Sequence, residues 1–161
     1  MKVEYMLHMG DDLFVANVAR VSFAKEKEVF GQDDERILKF LARENHWTPF
    51  GHPHISLRVK APVPIRTQCF KSKVGFVENE ESRRYISTPP ELYVPDEFRA
   101  KPLGSIKQGS GEAHTGSSDW RDAYKEWTGR SMAVYNAMIE DGVCPEQARF
   151  LLPQGCMVNW I

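Results

Sequence analysis

The chain has 161 residues, enough for one domain with a buried core. Hydrophobic residues at 42% and charged residues at 27% match soluble globular averages, which excludes a disordered or fibrous class. A formal net charge of -1 excludes a broad electrostatic footprint for nucleic acid, so any anion site must be local.

In chain order, Met1 to His8 is too polar and too short in apolar length for a secretory signal. No later run is long enough to span a membrane, so a cytoplasmic protein without a membrane partner is expected. Asp11-Asp12 before Leu13, Ala16 and Ala19 predicts a capped helix reaching about Arg20. Asp33-Asp34 before Ile37, Leu38 and Leu41 predicts a second helix that stops before Asn45, and Thr48 to Gly51 then forms a turn. From His54 to Lys60 the period changes to two, with Ile55, Leu57 and Val59 on one face, which predicts a strand ended by Pro62 and Pro64. Order resumes near Ile65, and Arg66 to Phe76 reads as a short helix followed by a loop. Residues 99–118, rich in Gly, Ser, Lys and Pro, read as a flexible loop. The longest helix follows, capped by Ser118 or Asp119, carrying Trp120, Ala123, Tyr124, Trp127, Val134, Tyr135, Met138 and Ile139 as a core stripe, and ending before Gly142. Pro145 suits the first turn of another helix bearing Arg149, and the last residues to Ile161 read as helix. With no repeat and no linker, residues 1–161 are expected to form a single domain.

The densest chemical constellation is Gln68 to Tyr85, where Lys71, Lys73, Arg83 and Arg84 sit close to Glu78, Asn79, Glu80, Glu81 and Ser82. Arginine forks, lysine charges and neutral donors together suit a phosphate, and the carboxylates can hold the arginines or accept from ribose and base groups. The same residues also suit a solvated loop whose ions pair with one another at little gain. His46 and His52 in isolation read as polar helix-end and turn residues, and Arg149 as a surface ion-pair partner. Cys69, Cys144 and Cys156 are three in number and show no C-x-x-C spacing, so neither a disulfide framework nor a metal site is indicated.

The run Asn79-Glu80-Glu81-Ser82-Arg83-Arg84-Tyr85 resembles the second half of the signature of flavin-dependent thymidylate synthases, S-x-N-E-x-S-x-R-Y. Lys71-Ser72-Lys73 stands where that signature has Arg-His-Arg. Ala19-Arg20-Val21-Ser22-Phe23, His46-Trp47-Thr48-Pro49-Phe50-Gly51-His52 and Ala148-Arg149 with Leu152-Pro153 resemble further segments of the family in the same order, so the likeness covers most of the chain. The resemblance implies an α+β fold, with a small twisted, mainly antiparallel sheet flanked by helices. It implies methylation of dUMP to dTMP with FAD as cofactor and methylenetetrahydrofolate and NADPH as co-substrates. Ser22, His46, Thr48, Lys71, Ser72, Lys73, Asn79 and Glu80 would lie along FAD. Gln68, Lys71, Glu80, Glu81, Ser82, Arg83, Arg84 and Arg149 would surround dUMP. It also implies a homotetramer, and places the uracil-activating arginine of the family in a stretch beyond Ile161, so a carboxyl-terminal part is expected to be missing. A non-catalytic binder of FAD or nucleotide is the alternative.

Overall fold

The computed structural model describes residues 1–104 and 109–161. Three strands, β1 (Lys2–Met9), β2 (His54–Pro62) and β3 (Met157–Trp160), form an antiparallel sheet in the order β1-β2-β3. Five α-helices accompany it: α1 (Asp12–Arg20), α2 (Gln32–Arg43), α3 (Val63–Cys69), α4 (Ser117–Glu140) and α5 (Pro145–Ala148). The fold is therefore α+β, as expected. The described residues divide into two compact units. The first holds Met1–Lys2, Lys60–Lys73 and Glu78–Trp160, and the second Val3–Val59, Val74–Val77 and Ile161.

In the second unit, Asp11 caps α1 by accepting the Phe14 N–H at 2.8 Å. Gly10 just before it has φ +80°, and a Cβ there would lie 2.5 Å from the Phe14 ring, so glycine is required on both counts. At the start of α2, the Asp34 carboxylate accepts the Gly31 N–H at 2.7 Å. Val15, Ala16 and Leu41 form the small apolar core. Buried beside it, Asp34 pairs with Arg20 of α1 and lies 3.7 Å from the Lys27 ammonium. Burial pushes the Asp34 carboxyl upward, but the Gly31 hydrogen bond and the Arg20 and Lys27 charges outweigh it and hold the group below the usual range.

In the first unit, Pro64 sits in the opening turn of α3, so the helix starts at Val63, earlier than the spacing suggests, and it stops at Cys69. The cap expected from Ser118 or Asp119 is absent. Gly116 precedes α4 without a side-chain cap, while the Ser117 hydroxyl accepts the Phe98 N–H at 2.7 Å. The aromatic stripe of α4 is also divided. Tyr135 is fully buried, yet Trp120 and Trp127 are about three-fifths exposed at 59% and 60%. The line that packs is Thr128, Ser131 and Tyr135. Thr128 Oγ1 donates to the Tyr124 carbonyl, Ser131 Oγ to the Leu151 carbonyl, and Tyr135 Oη to the Ser87 carbonyl. Two of these residues carry hydroxyls on short side chains, which a search for apolar period passes over.

The carboxyl-terminal segment corrects another expectation, since Met157–Trp160 is a strand and not a helix. Met157, Val158 and Trp160 are all buried, and backbone pairing to Glu91 and Glu81 wins over local helical preference. Within 99–118, Arg99 and Ala113 form an antiparallel bridge, and the Ala100 N–H donates to the Glu112 carbonyl at 2.8 Å. Residues 105–108 of the expected loop lie outside the described residues.

Candidate functional site

A cavity of about 310 Å³ opens within the first unit, large enough for a small ligand. Three stretches far apart in sequence build it. From α3 come Val63 and Arg66, from the loop Glu80, Glu81, Ser82 and Arg83, and from the carboxyl-terminal region Arg149, Leu152, Pro153, Gln154, Cys156 and Val158.

Backbone pairing explains why the charged loop holds its place. Glu80 bridges Trp160 across the sheet edge, and the Glu81 N–H donates to the Asn159 carbonyl at 3.0 Å. The chain then turns tightly at Ser82, whose carbonyl accepts from the Tyr85 and Ile86 N–H groups at 3.0 and 3.2 Å. Arg149 is fixed from the other side. It follows α5, where the Cys144 carbonyl accepts the Ala148 N–H at 3.0 Å, and its own Nε donates to the Glu146 carbonyl at 3.1 Å.

The lining carries three guanidinium groups, on Arg66, Arg83 and Arg149, against two carboxylates, on Glu80 and Glu81. Arg66 pairs with Glu80 at 3.0 Å, and Arg83 lies 3.4 Å from Glu81 while donating to the Thr88 carbonyl at 2.5 Å. Arg149 makes only the Glu146 carbonyl bond among the described contacts, so the positive charge in excess resides there. Such a cavity attracts an anion, and the planar forks suit a phosphate or carboxylate. Burial raises the Glu80 carboxyl above its usual range, opposed by Arg66 and reinforced by Glu81 and Glu78. Cys156, also in the lining, is 3% exposed, and burial pushes its thiol up to about 11 against the lowering influence of Arg83. A thiol so strongly protonated is a poor nucleophile at neutral pH.

Of the residues singled out for a nucleotide, Glu80, Glu81, Ser82, Arg83 and Arg149 line this cavity. Gln68, Lys71 and Arg84 do not. Gln68 and Lys71 are exposed at the end of α3, and Arg84 faces outward, 3.2 Å from Glu146. Among those singled out for a flavin, Lys73 pairs with Glu78 and stacks 5.3 Å from the centre of the Phe70 ring, while Ser72 and Asn79 are exposed. Ser22, His46 and Thr48 are exposed residues of the second unit. Ser22 lies in a short 3-10 turn, Thr48 opens another, and the His46 ring stands edge-on to Phe40 with centroids 5.8 Å apart. Sequence reasoning missed Arg66 and Gln154 as lining residues, although Arg66 opens the Arg66 to Phe76 segment and Gln154 directly follows Leu152-Pro153. Asn159 was hidden by the helix expectation for its segment.

The family model described as "Thymidylate synthase complementing protein" matches residues 3–161. A flavin-dependent thymidylate synthase of Thermosipho africanus is 32% identical over 149 residues, covering 90% of this chain and 63% of the relative. One from Streptomyces avermitilis is 33% identical over 166 residues, covering 95% and 65%. The chain thus spans a little under two thirds of the length of these relatives. A solved structure of a UMP/dUMP methylase, PolB, from Streptomyces cacaoi bound with 5-Br dUMP superimposes with a TM-score of 0.87 at 24% identity, covering 99% of this chain and 70% of that one. At that identity the likeness speaks for the fold.

Proposed function

The chain belongs to the thymidylate synthase complementing protein family, and on that premise we propose that it binds dUMP in the arginine-lined cavity and takes part in its flavin-dependent methylation to dTMP. The observation that carries the reading is the single excess positive charge at Arg149, in a cavity that also holds Ser82 and the Glu80–Arg83 loop. Arg149 and Arg83 receive the phosphate, Ser82 and Gln154 offer neutral hydrogen bonds, and Glu80 and Glu81 accept from ribose hydroxyls or base N–H groups. Gln68, Lys71 and Arg84, outside the cavity lining, would act at its approach.

The donor set singled out for a flavin fits one chemically. In the first unit the Lys71 ammonium, the Ser72 hydroxyl and the Asn79 amide are exposed, and in the second the Ser22 and Thr48 hydroxyls and His46; each set by itself offers neutral or cationic donors of the kind that a ribityl chain or pyrophosphate takes. Lys73 and Glu80 complete the flavin candidates of the first unit; FAD, when bound, would supply hydride transfer, with NADPH as reductant and methylenetetrahydrofolate as carbon donor. The chain's own part is to orient the uracil, to neutralise the phosphate and to exclude competing anions. Cys156 takes no part in this chemistry. A homotetramer in a cytoplasmic setting completes the reading; no described helix is long and apolar enough to cross a membrane.

Titration of the purified chain with dUMP, followed by a turnover assay with FAD, NADPH and the folate, tests it. Saturable binding of dUMP and formation of dTMP are expected. Binding with flavin colour but no dTMP would make the chain a non-catalytic binder, and no binding of dUMP would remove the reading altogether.

A further inference from the structure

The loop at Glu80–Arg83 carries its own carboxylate beside its own arginine, and such a pair can adopt several arrangements unless something fixes it. Strand β3 supplies the fixing group. Asn159 reaches Glu81 twice, its carbonyl accepting the Glu81 N–H at 3.0 Å and its Nδ2 donating to Glu81 Oε2 at 2.7 Å. The other oxygen, Oε1, faces Arg83 Nη2 at 3.4 Å, and Arg83 Nη1 is anchored on the Thr88 carbonyl. Both Glu81 and Arg83 side chains are largely buried, at 22% and 15% exposure. With one carboxylate oxygen committed to Asn159, only the other remains for Arg83, so the guanidinium is steered without being captured in a two-pronged clamp.

We propose that Asn159 is a positioning residue for the anion site: through Glu81 it sets the direction of the Arg83 guanidinium in the cavity. The inference rests on the reading of that cavity as a dUMP site and adds a residue to it. Without the amide, the Glu81 carboxylate is free to turn and to meet Arg83 in several arrangements, so the guanidinium is no longer held toward the cavity, which loses part of its attraction for phosphate. Asn159 touches no substrate in this scheme.

The test uses the full chain with two variants. Asn159→Ala removes the donor and is expected to weaken dUMP binding about tenfold, the scale of one hydrogen bond to a charged group. Asn159→Asp keeps the shape but donates only when protonated. A carboxyl placed against Glu81, with Arg83 on one side and the Glu80–Arg66 pair adjoining, shares a proton more readily as pH falls. Relative to wild type at the same pH, its dUMP affinity should therefore be reduced about tenfold at pH 7.5 and recover at pH 5.5, while Asn159→Ala shows no recovery. Nitrogen-15 NMR of the arginine side chains gives a readout that needs no ligand. Separate, slowly rotating Arg83 Nη signals are expected in wild type and averaged ones in Asn159→Ala. Unchanged Arg83 signals in the variants, or unchanged relative affinity, would overturn the proposal. Loss of Arg83 order in the variants of a chain that binds no dUMP would uphold the positioning and reject the dUMP reading instead.

Discussion

Two clusters in this chain join arginine to carboxylate, one fully buried and one half-buried, and they do opposite things. Around Asp34 both oxygens are answered, Oδ1 by Arg20 and Oδ2 by the Gly31 N–H and Lys27, and the group ties α1 to α2 in the second unit. Around Glu80 and Glu81 in the first unit, the carboxylates are outnumbered, a cavity stands open, and Arg149 is left with only a carbonyl partner among the described contacts. Ion pairing as such therefore does not mark a functional site. What marks one is a charge that pairing leaves over, held at the wall of a space large enough for a ligand.

The largest expected effect tests the closed cluster. Arg20→Met removes the close cation from a buried aspartate and leaves its charge to the half-exposed Lys27 ammonium at 3.7 Å, a change that costs far more than the intact pair contributes. The melting temperature should fall by roughly 10 °C, measured by circular dichroism or calorimetry. Binding of dUMP by the fraction that remains folded should be unchanged. A stable Arg20→Met protein that had lost dUMP affinity would erase the distinction between the two clusters.

Arg149→Ala probes the open cluster and should behave in the reverse way. Removing the excess cation is expected to weaken dUMP binding about a hundredfold, as for loss of charge-assisted bonds to a phosphate, with a change in melting temperature of about 2 °C or less. Arg149→Lys keeps the charge without the fork and should fall between. Titration calorimetry beside thermal melts separates affinity from stability. An Arg149→Ala protein that binds dUMP as wild type does would place the phosphate elsewhere.

Much of this contrast was legible in the sequence, and the rest was hidden for identifiable reasons. Asp11 and Asp34 announced their helices through capping, and the alternation of Ile55, Leu57 and Val59 announced β2. The loop and Arg149 were found as a group through a family likeness, which carries information about distant contacts that local spacing lacks. Arg66 reaches the cavity because α3 begins at Val63, a start the prolines obscured. Four apolar and polar residues at the carboxyl end could not declare a strand by themselves. Met157–Trp160 becomes one through pairing with the distant β2 and through backbone bonds to Glu81 and Glu91, and only then does Asn159 meet Glu81. The Trp120 and Trp127 pair taught the converse lesson, that an aromatic stripe can exceed the surface available to cover it.

A difference of sign with pH sharpens the comparison at smaller amplitude. Asp34 has its carboxyl held below the usual range, so its contribution to stability is present above the unfolded value and lost as pH falls through the folded one. Glu80 is raised, mainly by burial with Glu81 and Glu78 adding and Arg66 opposing, so its contribution is present below the unfolded value and lost as pH rises through the folded one. Relative to wild type, Asp34→Asn should thus become progressively more destabilised from pH 3 to 6. Glu80→Gln should shift in the opposite direction, by about 2 °C or less because the site is partly open to water. Melts across this range decide it, and parallel profiles for the two variants would count against the contrast.

Cys156 offers the smallest and most diagnostic effect, because it lines the cavity yet belongs by environment with the closed cluster. Its thiol is 3% exposed and raised to about 11 by burial, whereas Cys69 and Cys144 are exposed. At pH 8 a thiol reagent should label Cys69 and Cys144 within minutes and reach Cys156 only when the protein unfolds. Cys156→Ala removes one buried sulfur and should cost about 1 kcal/mol of stability. Affinity for dUMP and any turnover should stay within about twofold, as befits a group that neither ionises at neutral pH nor donates strongly. If Cys156→Ala abolished turnover while dUMP still bound, the sulfur would be acting on the substrate. The cavity would then be doing nucleophilic chemistry, for which its burial makes it poorly suited.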